Sequence, residues 1–152
     1  MYMTHDSTND TLKHIRTVYL HLATVRWNLF DRSNVHDDSK LHFPEKEAFD
    51  KAAVLNQVEY GTPEYDEAKA SLGDALVHHY AHNSHHPEHY ESGINGMSLL
   101  DVIEMLADWK AATERMKDGD LGKSLEINKE RFAISDQLYD ILINTAKELK
   151  WL

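Results

Sequence analysis

The 152-residue chain contains no cysteine, which excludes disulfides, thiolate zinc sites, iron–sulfur clusters and a cysteine nucleophile. It has no apolar run long enough to span a bilayer, so no membrane partner is expected. Its first ten residues are polar and lack the basic-then-apolar order of a secretion signal, so a cytoplasmic location is expected. Basic residues are in the minority: 16 Lys and Arg stand against 26 Asp and Glu, a net charge of −10. No segment gathers the cations that a nucleic-acid backbone demands, and stable nucleic-acid binding is not expected. Glycine and proline are scarce, 6 and 3 residues, and sit where helices would turn. Histidine is plentiful instead: the chain has 11, and imidazole is the commonest metal ligand among protein side chains.

The 41% of apolar residues supply roughly 60 side chains for a core, enough for one domain over residues 1–152, with 1–8 as a flexible N-terminus. Their spacing predicts an all-α, single-domain bundle of about five main helices. The first covers residues 9–30, with Val18, Leu22, Val25 and Leu29 as a buried stripe beside Ile15, and 31–34 breaks it. The second follows Pro44, carries Phe49, Ala52, Ala53 and Leu55, and closes at Gly61-Thr62-Pro63. The third runs over 63–82, with Ala68, Leu72, Ala75, Leu76 and His79 on one face. Residues 83–96 read as loop. Ser98 to Asp101 reads as a capping box that opens the fourth helix, which ends near Gly119. Its core stripe is Leu99, Val102, Ile103 and Leu106, widened by Met105 and Trp109. The last helical region, 124–149, bends near Ser135, a candidate N-cap. Trp151-Leu152 at the terminus is open to two readings, docked on the same chain or buried in a homodimer.

Histidines and acids fall in four clusters: His14 and His21 on the first helix; His36-Asp37-Asp38-Ser39-Lys40; the run from His78 through His79, His82, His85 and His86 to His89; and Asp101, Glu104 and Asp108 flanking the apolar stripe of the fourth helix. Taken singly, each has an ordinary reading. A histidine beside an apolar stripe is usually hydrogen-bonded core, Asp101 is a capping acid, Glu104 a solvated one, and Lys40 a surface lysine. Taken together, imidazoles and carboxylates without thiolates suit Mn, Fe, Ni, Co or Zn. An adjacent His-Asp pair can serve two ions, the carboxylate bridging. Helical bundles commonly hold such centres with inward-facing ligands from several helices.

The order His, His-Asp, His, His, Asp resembles the HD-domain superfamily of metal-dependent phosphohydrolases, and His36-Asp37-Asp38-Ser39-Lys40 is similar to its HDxGK motif with Ser39 in the glycine's place. The stretches HDDSK, HHYAHNSHHPEHY, EMLADWKAATERM and SLEINKERFAISDQL resemble, more narrowly, a small uncharacterised HD-like family of phages and bacteria, over roughly residues 12–145. The phage members would act in the host cytoplasm. The resemblance implies an HD-like fold, His36 and Asp37 as central ligands and Asp108 as the distal one. It implies His14 as the leading ligand with His21 as fallback, and His79, then His85 and His86, as the middle histidines, ahead of His78 and His82. Lys40 resembles the lysine that meets a substrate phosphate, and Asn83 with the Asn128/Arg131 pair is expected to line the cavity.

The expected activity is hydrolysis of a small phosphoester, foremost a nucleotide, by water activated on one or two divalent ions. Asp37, Lys40 and Glu104 are the expected catalytic residues, with Glu104, His82 or His89 moving the leaving-group proton. Two other readings stay open. HD-type di-iron oxygenases use the same ligand types, and a metal-bound module that binds a host protein or a nucleotide would need no turnover.

Overall fold

The structure, a computed structural model, describes residues 6–51, 62–70 and 72–152. The chain divides into two compact units, Met1–Val35 and His36–Leu152. Ala52, Ala53 and Leu55 of the second expected helix, and the side chain of Ala68 in the third, lie outside the described residues. No strand occurs among the described residues, and none of their helices is long and apolar enough to cross a membrane.

The first unit is one helix, α1 (Thr8–Val35). It runs through residues 31–34, where a break was expected. Asp, Ser and Asn are only mildly unfavourable inside a helix, and the Ser33 hydroxyl folds back onto the Phe30 carbonyl at 2.7 Å. None of its side chains is buried, including Ile15, Val18, Leu22 and Val25, the stripe expected to be core. A unit made of one helix has no facing element of its own to cover an apolar stripe.

The second unit contains α2 (Glu45–Lys51), α3 (Pro63–Ala70), α4 (Asp74–His82), α5 (Leu99–Arg115), α6 (Leu121–Arg131) and α7 (Asp136–Glu148). The third expected helix is two, because Gly73 adopts a φ of 49° between α3 and α4, a backbone region closed to an ongoing right-handed helix. The last region also divides. α6 starts three residues early because the Asp120 carboxylate caps it, accepting from the Lys123 N–H at 3.1 Å. It stops where Ala133 turns left-handed and the Ile134 N–H reaches back to the Lys129 carbonyl at 2.9 Å. Ser135 then caps α7, as expected, accepting from Leu138 N–H. The same C-terminal device ends α7: Lys150 is left-handed and the Trp151 N–H bonds the Ala146 carbonyl at 2.8 Å. It packs Trp151 against the core of its own chain.

That core consists of Val102, Met105, Leu106 and Trp109 of α5 with Leu121, Leu125, Ile134, Leu142 and Ala146. Leu99 and Ile103, expected in it, are exposed. The buried face of α5 is turned away from them toward Asp101, Glu104 and Asp108, since the helix covers both an apolar core and a polar cluster. Ser98 and Asp101 form the expected capping box. The Asp101 carboxylate is buried and accepts from Ser98 N–H at 2.8 Å, Ser98 Oγ at 2.6 Å, Ser84 Oγ at 2.8 Å and Tyr90 OH at 2.9 Å. Burial would raise its pKa, but these donors outweigh burial and hold it below the usual carboxylate range. Asp101→Asn is therefore expected to cost about 2 kcal/mol in urea unfolding at neutral pH. A group with a depressed folded pKa stabilises above its unfolded pKa and loses that contribution as pH falls, so the difference between variant and wild type should shrink below about pH 4.

Candidate metal centre

His36 and Asp37 stand immediately before a 3-10 turn over Asp38–Leu41. Asp37 has a φ of 57°, a left-handed conformation that Asp tolerates better than most residues. Its side chain makes no capping bond to the turn's backbone; Oδ2 takes the Lys40 ammonium and Oδ1 faces the histidines. α4 contributes His79, the following loop His85 and His86, and α5 Asp108 one turn after Glu104. The structure gathers these ligand atoms in two groups, each within 4.8 Å: Asp37, His79, His85 and His86; and His36, Asp37, His85 and Asp108.

The converging atoms are closely spaced. The Nε2 atoms of His79 and His86 are 2.9 Å apart, and Asp37 Oδ1 lies 3.4 Å from His79 Nε2 and 3.5 Å from His85 Nε2. On the other side His36 Nε2 is 3.7 Å from Asp37 Oδ2 and 3.6 Å from Asp108 Oδ1. Ligands about 2.1 Å from one ion lie about 3.0–3.4 Å from each other in octahedral or tetrahedral shells. Two of the converging atoms, Asp37 Oδ1 and His85 Nε2, are buried and accept or donate no hydrogen bond. Burying such atoms unpaired costs free energy unless a cation completes them.

Carboxylates behind the imidazoles fix which nitrogen points inward. Glu45, wholly buried, accepts from His79 Nδ1 at 2.8 Å, from His78 Nδ1 at 2.7 Å and from the Ser39 hydroxyl at 2.9 Å. Glu104 Oε1 accepts from His36 Nδ1 at 2.9 Å and stands 3.3 Å from His85 Nδ1. Three imidazoles thus present Nε2 to the interior while Nδ1 faces a carboxylate, the arrangement that orients metal-bound histidines. Glu104 was expected to shuttle protons. Its contacts place it behind the His36 and His85 rings.

Burial, then the positive field of Lys40, lowers the His79 pKa. Burial and the neighbouring His85 and His79 push His86 down to about 2. Both shifts favour the neutral rings, and in the 2.9 Å contact between their Nε2 atoms one ring donates to the lone pair of the other. For Glu45 burial works upward, but the bonds from His78, His79 and Ser39 prevail and keep it ionised. Burial also works upward on Asp108, yet it is held at about 2, with its bond to His36 the largest downward influence. His36, between Asp108 and Glu104, is raised to about 10.

Of the other expected residues, His14 and His21 belong to α1, in the first unit. His78 and His82 stack at 4.0 Å on consecutive turns of α4, and His82 Nδ1 donates to the His78 carbonyl. His89 is tied to the Tyr80 carbonyl. Asn83 is buried and braces the cluster, donating to Ser39 Oγ and the His79 carbonyl at 2.8 Å each. Asn128, also buried, donates to Ser124, and Arg131 pairs with Glu88 at 2.6 Å. Lys40 Nζ bonds Asp37 Oδ2 at 2.6 Å and lies over the Phe49 ring.

Sequence reasoning missed Glu45. An acid at the first position of a short helix after proline reads as a dipole partner, and nothing in the sequence says that two histidines 33 and 34 residues later converge on it. Compared with known proteins, residues 3–148 match the profile of DUF5662, a family of unknown function. No curated protein and no solved structure gives a significant match.

Proposed function

The chain belongs to the DUF5662 family, whose function is unknown, and we propose from its own residues that it is a metal-dependent phosphohydrolase acting on a small phosphoester, foremost a nucleotide. The supporting observation is the inward convergence of His36, His79, His85, His86, Asp37 and Asp108, with Asp37 Oδ1 and His85 Nε2 left unpaired in the interior. The motif likeness to HD domains points to the same chemistry. His79, His85, His86 and Asp37 would hold one divalent ion, and His36, Asp37 and Asp108 a second. Such an ion supplies Lewis acidity, lowering the pKa of water from near 16 to about 7 and polarising a phosphoryl oxygen.

The chain's own groups do the rest. Glu45 and Glu104 hold the imidazoles in one tautomer, so the centre needs little rearrangement to receive its ion. Lys40, partly exposed beside Asp37, supplies an ammonium that can meet a phosphate oxygen in a charge-assisted hydrogen bond. The net charge of −10 slows encounter with long polyanions, while a mononucleotide entering a cation-lined site is little affected.

Purified protein loaded with Mn, Co or Ni and offered a panel of nucleotides and phosphomonoesters is expected to release inorganic phosphate. Chelation should abolish this and re-addition of the ion restore it. A folded, metal-loaded protein with no turnover overturns the reading; if a nucleotide then raises its Tm, the chain is a binding module. Four imidazoles and two carboxylates also suit an iron pair, and this second reading predicts two irons after anaerobic purification, with an oxygen-sensitive absorption band.

A further inference from the structure

The two candidate cation positions are not alike, and the difference lies in the two oxygens of Asp37. Oδ1 faces His79 and His85 and is unpaired. Oδ2 faces His36 but already receives the Lys40 ammonium at 2.6 Å. The donor sets differ as well. The group on the Oδ1 side has three imidazoles and one carboxylate, whereas the other shares Asp37 and His85 with it and adds His36 and Asp108. A ring nitrogen binds one ion, so when His85 serves the first position the second keeps one imidazole and two carboxylates.

Resting on the metal-centre reading above, we propose that Lys40 occupies the place of the second cation: its ion pair with Asp37 Oδ2 and a second bound metal exclude one another. The ammonium is a point charge at hydrogen-bond distance from the Asp37 oxygen that faces His36, and it repels a second cation brought to that oxygen. Loading is therefore sequential. The first ion enters the histidine-rich position, which has unpaired atoms and no resident cation. The second enters only by displacing Lys40, and the freed ammonium becomes available to an anionic substrate. The oxygen-rich second position also favours harder ions than the first.

Calorimetric titration of the chelator-stripped full chain with Co2+ alone tests this, with visible absorption reporting the geometry of each bound ion. Wild type should show a tight first step and a much weaker second. Lys40→Met is expected to strengthen the second step relative to the first by at least about tenfold, the scale of losing one partly buried competing ion pair. Lys46→Met, which removes an equal charge from a lysine paired with Asp50, should not alter the ratio of the two steps. Asp108→Asn should remove the second step and keep the first. Two equal steps in wild type, a Lys40→Met shift common to both steps, or a single step in both wild type and Lys40→Met overturns the proposal. Absence of any Co2+ binding overturns the metal-centre reading itself.

Discussion

Asp37→Ala is expected to strip the protein of metal and to lower phosphoester turnover by about three orders of magnitude or more, because the water it would use loses the ion that brings its pKa from near 16 to about 7. Asp37 is the one carboxylate common to both ligand groups, so no other single change removes a ligand of each side without removing a histidine. Its φ of 57° adds a complication, since alanine is strained there. Asp37→Asn separates the two effects: asparagine tolerates the left-handed backbone but lacks the charge. That variant should melt, in metal-free buffer, within a few degrees of metal-free wild type and still bind ions far more weakly. Elemental analysis of both purified variants, with phosphate release measured on the same samples, provides the check. Full metal content and full turnover in either variant would mean the site has been misplaced.

The second large effect is expected at Glu45, which makes no contact with the interior of the centre. Glu45→Ala leaves His78 Nδ1, His79 Nδ1 and the Ser39 hydroxyl without their acceptor. The loss of one buried partner from such a network costs about 3 kcal/mol. Metal affinity should fall about 10–100-fold as well, because the His79 ring is no longer held with Nε2 inward. Urea unfolding of the metal-free protein reads the first effect and competition with a coloured chelator the second. Glu45→Gln should recover much of the stability, since it keeps the volume and one accepting oxygen. It should recover less of the affinity, because its amide N–H faces imidazole donors. His82→Ala, at an exposed ring outside both groups, should change neither quantity.

The two variants divide the site by legibility. Asp37 stands out in the sequence because it follows a histidine, precedes Lys40 at the spacing of a known motif, and belongs to a chain rich in imidazole and empty of thiol. Glu45 stands out in nothing. Its importance comes from α2 and α4 packing side by side, a relation between segments more than thirty residues apart. Glu104 was visible as an acid flanking the apolar stripe of α5, but its role depends on His36 and His85 arriving in front of it. The helices show the same division. The caps at Ser98 and Ser135 were readable because a cap is a local hydrogen bond. The expected burial of Leu99 and Ile103 failed because periodicity defines a stripe without saying how far a helix is rotated about its axis.

Sequence alone therefore determined the helical class and the local caps, which follow from residue type and short-range spacing, while the choice of candidate ligands came from the motif's resemblance to HD domains. Tertiary structure decided which imidazole nitrogen points inward, which carboxylate stands behind which ring, and that Lys40 rests on one oxygen of Asp37 while the other, facing His79 and His85, accepts no hydrogen bond. The physical reason is range. Helix capping, periodicity and donor type act within a few residues, but ligand geometry is set by where separate helices cross, and that depends on the packing of the whole core.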